Sequence, residues 1–150
     1  MQQRIDIRAL EPASYQAMIA LERSVASAGL DERTRHLVKL RVSFVNGCAF
    51  CIDMHSEEGR NAGIPESHLF AVAAWHDAPF FSDRECAALA LADAATRLDD
   101  GVPDAVWQDA VKHWGEAGVA KLVFVIAAIN AWNRLAIPAR QTPRSALAHR

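Results

Sequence analysis

The sequence predicts an all-α protein, a single domain built as a bundle of about seven helices. Apolar residues recur at helical spacing through most of the chain, and short breaks rich in Gly, Pro, Asn and Asp separate those segments. No segment reads as a credible strand, linker, repeat or low-complexity tract. The 150 residues suffice for one domain with a real core and are too few for two comfortable ones.

The elements follow in order. Pro12 opens a helix carrying Met18, Leu21, Val25 and Ala28 on one stripe, which Gly29 ends. Asp31 is placed as the N-cap of a second helix over 32–45. Its apolar residues form two adjacent stripes, Leu37, Leu40, Phe44 and Val38, Val42, Val45, which predicts a wide buried face. Asn46-Gly47 breaks it in a helix-to-helix turn, because helical spacing flanks the pair on both sides. A third helix starts near Gly47 and stops by Gly63, and Pro65 opens a fourth that ends near Trp75. Ser82 to Glu85 reads as a capping box before an alanine-rich fifth helix over 83–98. Pro103 precedes a sixth helix to about Trp114. The seventh runs from about Glu116 to Leu135 and is apolar on most sides, so it belongs at the centre or at a subunit interface. Pro138 and Pro143 mark an irregular tail.

Composition narrows the function. Hydrophobic residues make up 51%, slightly rich for a soluble monomer, so association with further subunits is expected. Net charge is −2 with scattered basic residues, which argues against a nucleic-acid surface. The first eleven residues lack the apolar core of a signal peptide. The longest apolar run, 122–129, is far short of the roughly 20 residues that span a bilayer as a helix. A cytoplasmic location is expected. There thiols are kept reduced, so closely spaced cysteines suggest catalysis or metal before a structural disulfide. P-loop and GxGxxG patterns are absent, and no cofactor is implied.

The segment NGCAFCIDMH, residues 46–55, carries the chemistry. On a helix, Cys48 and Cys51 at i, i+3 and His55 at i+4 from Cys51 line one stripe. Such a pair has Cα atoms roughly 5 to 5.5 Å apart, inside the disulfide window. Free N–H groups of a first helical turn stabilise a thiolate, and a histidine one turn on can move a proton. A reactive dithiol competes with two other readings. The cysteines could fill a core. They could also bind zinc with His55 and a fourth ligand from His36 or Cys86, although three ligands along one straight helix converge poorly on a tetrahedron.

The stretch LVKLRVSFVNGCAFCIDMH resembles the core of the alkylhydroperoxidase AhpD-like proteins, within the carboxymuconolactone decarboxylase family. The segments at 73–96 and 129–137, the latter INAWNRLAI, extend the resemblance to residues 30–138. It implies an all-helical fold, assembly as trimers or hexamers, and a peroxidase or disulfide reductase of the antioxidant type. Cys51 would attack the hydroperoxide, Cys48 would donate a proton and close the disulfide, and His55 would belong to the proton relay. A small thiol or a disulfide-bearing carrier protein would restore the dithiol.

One position departs from that pattern. The family has a glutamate twelve residues before the first cysteine, where this chain has His36. His36 either relays a proton to His55 through water or is a hydrogen-bonded histidine at a face edge. Two further readings of the chain are a lactone decarboxylase, whose chemistry has no need of a dithiol, and a non-catalytic redox-sensing oligomer. Elsewhere, Cys86 is expected as core filler, the four tryptophans as core or interface, and Glu57 and Glu58 facing solvent. His68, His76, His113 and His149 are expected at the surface without partners. Asn130, Asn133 and Arg134 are polar groups on an apolar helix that need partners, in a subunit contact or a pocket.

Overall fold

The computed structural model describes residues 2–148, and side chains as far as 146. Among these residues there are helices and no strands. In chain order the helices are α1 (Ile7–Leu10), α2 (Pro12–Ser27), α3 (Glu32–Asn46), α4 (Ala49–Asn61) and α5 (Glu66–Ala71). A 3₁₀ segment (Val72–Asp77) follows, then α6 (Asp83–Arg97), α7 (Asp104–Ala139) and α8 (Arg144–Ala148). The expected sixth and seventh helices lie end to end as α7, divided by the non-helical backbone of Gly115.

The local signals act as their chemistry requires. Asp31 accepts the Thr34 amide at 2.8 Å and caps α3. Gly47 ends α3 in the left-handed conformation, at φ 67°, which costs glycine no Cβ clash. Ser82 and Glu85 form the reciprocal capping box of α6. Glu85 also holds Arg33 of α3, with Nε to Oε1 at 2.6 Å.

The two stripes of α3 serve two different cores. Val38 and Val42 face a cluster completed by Val25, Leu91, Leu122, Ile126 and Ile129. Leu37 and Leu40 face a second, with Ile64, Leu69, Val72, Trp75 and Leu89. All four α3 residues are fully buried, and burial of each such side chain stabilises by about 1.5–3 kcal/mol. α3 therefore lies between the two cores.

Several expectations change. α7 continues through Pro138 to Ala139, where the left-handed Arg140 stops it. A proline in the last turn removes one amide donor, and the end is closed instead by Arg140 and Gln141 amides on the Ile137 and Ala136 carbonyls. The N-terminal segment also docks there, with the Arg4 amide on Ala139 O at 2.9 Å. The tail forms the short α8, tied to α4 by the Ser145 amide on Asp53 Oδ2 at 3.0 Å. α7 is central, as expected, yet Val123, Phe124 and Ile137 remain exposed along it. Trp75 is a core residue, Trp114 and Trp132 are half-buried, and Trp107 is exposed.

Candidate active site

Cys48 is the N-cap of α4, and Cys51 lies in its first turn. The turn after Gly47 places Cys48 with extended backbone, so its side chain folds over the helix end. Its Sγ accepts the Cys51 amide at 3.4 Å. The two cysteines are joined as a disulfide with Cα atoms 5.3 Å apart, and both are buried. The free amides of a helix start favour negative charge on this pair when it is reduced.

Cys51 and His55 line one cavity of about 200 Å³. Its apolar wall comes from Tyr15 and Ile19 of α2, Phe50 and Met54 of α4, and Trp132 of α7. Tyr15 and Trp132 meet edge to face with ring centroids 5.3 Å apart. The polar side is made by His55 and Glu58 of α4, Lys39 of α3 and Glu22 of α2. Lys39 and Glu22 are ion-paired across α2 and α3. Cys48 opens elsewhere, onto an apolar cleft formed with Ala136, Ile137 and the chain after α7. The two cysteines of one bond therefore border two different cavities.

His55 is 4% exposed. Its Nδ1 lies 2.8 Å from Glu58 Oε2, while its Nε2 is buried without a protein partner. Glu58 was expected in solvent, and the structure corrects this. One turn along α4 it is half-buried on the cavity side, whereas Glu57 is exposed. Burial raises the Glu58 carboxyl, but the hydrogen bond and charge of His55, with Lys39, outweigh this and hold it below its ordinary value. The spacing of His55 and Glu58 at i, i+3 was the signal for this pair.

His36 does not line the cavity. It is buried on α3, with Nε2 3.8 Å from Glu32 Oε1 and Nδ1 unpartnered. Burial first, then the neighbouring Arg35, lowers its pKa. Cys86 belongs to the second core, where burial raises its thiol pKa. Among the described residues no three His, Cys, Asp or Glu side chains are grouped to hold a metal ion.

The polar residues of α7 find partners within the chain. Asn46 Nδ2 donates to Asn130 Oδ1 at 2.9 Å and to Asn133 Oδ1 at 2.8 Å. Asn133 is fully buried and donates to Ser43 Oγ at 3.4 Å. The end of α3 is thus tied to α7 just before Cys48. The other histidines differ in part from expectation. His68 accepts from Arg33 Nη2 at 2.9 Å and stacks on Phe80. His113 lies 3.5 Å from Asp109 and His76 stacks on Trp75. His149 lies outside the described residues.

This arrangement, a helical bundle presenting a CxxC pair at a helix start with a histidine one turn on, defines an AhpD-like protein. Residues 12–94 match the carboxymuconolactone decarboxylase family, and the chain belongs to it. It is 36% identical over 138 residues to YdfG, an uncharacterized protein of Bacillus subtilis strain 168, covering 91% of this chain and 94% of that one. A crystal structure of a protein of unknown function from Agrobacterium tumefaciens, for which an AhpD antioxidant defence role has been suggested, superposes with TM-score 0.93. That match has 37% identity and covers 95% of this chain and 98% of the other. The debrominase Bmp8 shares the fold alone, at TM-score 0.84 and 16% identity over 92% of this chain and 75% of its own.

Proposed function

We propose that the protein is a thiol-dependent peroxidase and disulfide reductase of the antioxidant type, acting on alkyl hydroperoxides through Cys48 and Cys51. One observation carries this reading: a CxxC pair close enough to bond, with Cys51 opening onto the cavity that His55 also lines. In the reduced protein, Cys51 loses its proton to the His55 side. Its thiolate attacks the distal peroxide oxygen, the O–O bond breaks, and the departing alkoxide takes a proton to leave as the alcohol. Cys51 is now a sulfenic acid. The Cys48 thiol displaces its hydroxyl as water, and the disulfide forms. One hydroperoxide and two thiols thus become one alcohol, one water and one disulfide.

A small thiol or a disulfide-carrier protein returns two electrons to the disulfide. Lactone decarboxylation leaves the dithiol without a role. His36, outside the cavity lining but acting electrostatically on Glu58, assists the relay at most indirectly. The reaction belongs in the reducing cytoplasm, in a homo-oligomer, a trimer or hexamer, that covers the exposed apolar residues of α7.

The test is stopped-flow oxidation of the reduced protein by cumene hydroperoxide, with mass spectrometry of the products. Wild type is expected to form the Cys48–Cys51 disulfide rapidly. Cys48→Ser is expected to accumulate sulfenic acid on Cys51, and Cys51→Ser to be inert. Wild-type oxidation no faster than that of free cysteine would overturn the peroxidase reading and favour a sensor or another substrate.

A further inference from the structure

His55 needs an orienting partner, because its two ring nitrogens are chemically distinct and the bond made by one decides the role of the other. In the related pattern a glutamate precedes the cysteines by twelve residues, and here that place holds His36. His36 brings no negative charge and does not line the cavity. Yet His55 does have a carboxylate, 2.8 Å from Nδ1, supplied from the same helix three residues later.

We propose that Glu58 is the positioning residue of the site: it accepts the Nδ1–H hydrogen bond of His55 and leaves Nε2 as the atom that exchanges a proton with Cys51. The proposal rests on the peroxidase reading for its chemistry, but the tautomer is a property of the resting protein. Three observations carry it. The His55 ring is nearly fully buried, so its orientation is set by protein contacts. Its Nε2 is buried and unpartnered, free for a proton from a neighbour or substrate. Cys51, one turn before His55 on the same face of α4, lines the same cavity.

The surrounding charges agree with this role. Glu58 faces Lys39 and His36 of α3 as well as His55. Lys39 is already engaged by Glu22 of α2, and Arg144 reaches the cavity from the C-terminal side. Glu58 therefore remains the acidic group in hydrogen-bond contact with His55. When His55 takes the Cys51 proton at Nε2, it becomes an imidazolium beside that carboxylate. When it returns the proton to the leaving alkoxide, the neutral Nδ1–H form is restored.

Two readouts test this on the full-length protein. The first is ¹⁵N NMR of the His55 ring in wild type, Glu58→Ala and Glu58→Gln. Wild type is expected to show the Nδ1–H tautomer, Glu58→Ala a mixture, and Glu58→Gln, which keeps an acceptor, the wild-type form. The second is the pH profile of cumene hydroperoxide oxidation. Glu58→Ala is expected to react about 10- to 100-fold more slowly at pH 7, less than the roughly 100- to 10,000-fold that acid–base catalysis itself supplies, because the histidine remains. Its pH dependence should differ from that of wild type, because the carboxylate beside the ring is gone, and Glu58→Gln should recover part of the rate. An unchanged tautomer in Glu58→Ala overturns the proposal whatever the rates. A wild-type rate and pH profile in that variant overturns the relay role. If wild type itself reacts no faster than free cysteine while the tautomer shifts as stated, the peroxidase reading fails and Glu58 stands as the group that orients His55.

Discussion

The Asn46 side-chain amide donates to Asn133 Oδ1 at 2.8 Å, joining the last residue of α3, two residues before Cys48, to a buried residue near the C-terminal end of α7. Because Asn133 is fully buried, this bond is protected from water, and it fixes the turn from which the cysteine pair is presented. Replacing Asn133 with Leu leaves Asn46 short of one acceptor and Ser43 short of one donor. A loss of about 1–3 kcal/mol is expected, read as a lower urea midpoint. Disulfide closure after peroxide should slow as well. Unaltered stability would mean the network is dispensable.

A second buried connection crosses from α3 to α6. Arg41 binds Asp93 through two bonds, Nε to Oδ1 at 2.6 Å and Nη2 to Oδ2 at 2.9 Å. Arg41 also donates to Ala73 O at 2.6 Å, and Trp75 Nε1 donates to Asp93 Oδ2 at 3.2 Å. Asp93→Ala strands a buried guanidinium and is expected to cost about 3–5 kcal/mol in urea denaturation. The double variant Arg41→Met, Asp93→Leu should recover much of that loss, since it removes both charges. Equal instability of single and double variants would show that packing, not charge, dominates there.

Cys86 provides a control within the same chain. It sits in the second core beside Phe81, with its thiol pKa raised by burial. In the oxidised native protein it should react with iodoacetamide more slowly than free cysteine at pH 7.5. Cys86→Ala should leave the Cys48–Cys51 disulfide and its rate of formation unchanged, as followed by mass spectrometry. A changed rate would bring Cys86 into the redox cycle.

Acid sensitivity follows from His36 and Glu58. The His36 pKa is below its unfolded value near 6.5, so on acidification the unfolded chain takes up this proton first. Stability should therefore fall as pH drops through about 6.5 and level out below the folded pKa, and His36→Gln should flatten that loss. The Glu58 carboxyl is also lowered, which contributes stability above its unfolded value near 4.5 that is lost at lower pH. Urea midpoints measured from pH 8 to pH 4 separate the two windows. An unchanged slope between pH 7 and 5.5 in His36→Gln would assign that loss to other groups.

Periodicity, caps and breakers in the sequence determined the helical class, most helix boundaries, the double apolar face of α3 and the disulfide-competent spacing of Cys48, Cys51 and His55. These are local properties, settled by side chains three or four residues apart. Tertiary structure alone decided which groups meet across helices. Arg41 finds Asp93 and Asn46 finds Asn133 over separations of 52 and 87 residues, which no local spacing encodes. Glu58 shows the boundary between the two. Its distance from His55 along the helix was legible, but its place in the cavity depended on α3 packing against α4 and on α2 lining the same cavity, with Lys39 and Glu22 closing the polar side. The same packing left His36 outside. A helix face is a property of sequence, whereas its burial depends on what the rest of the chain lays against it.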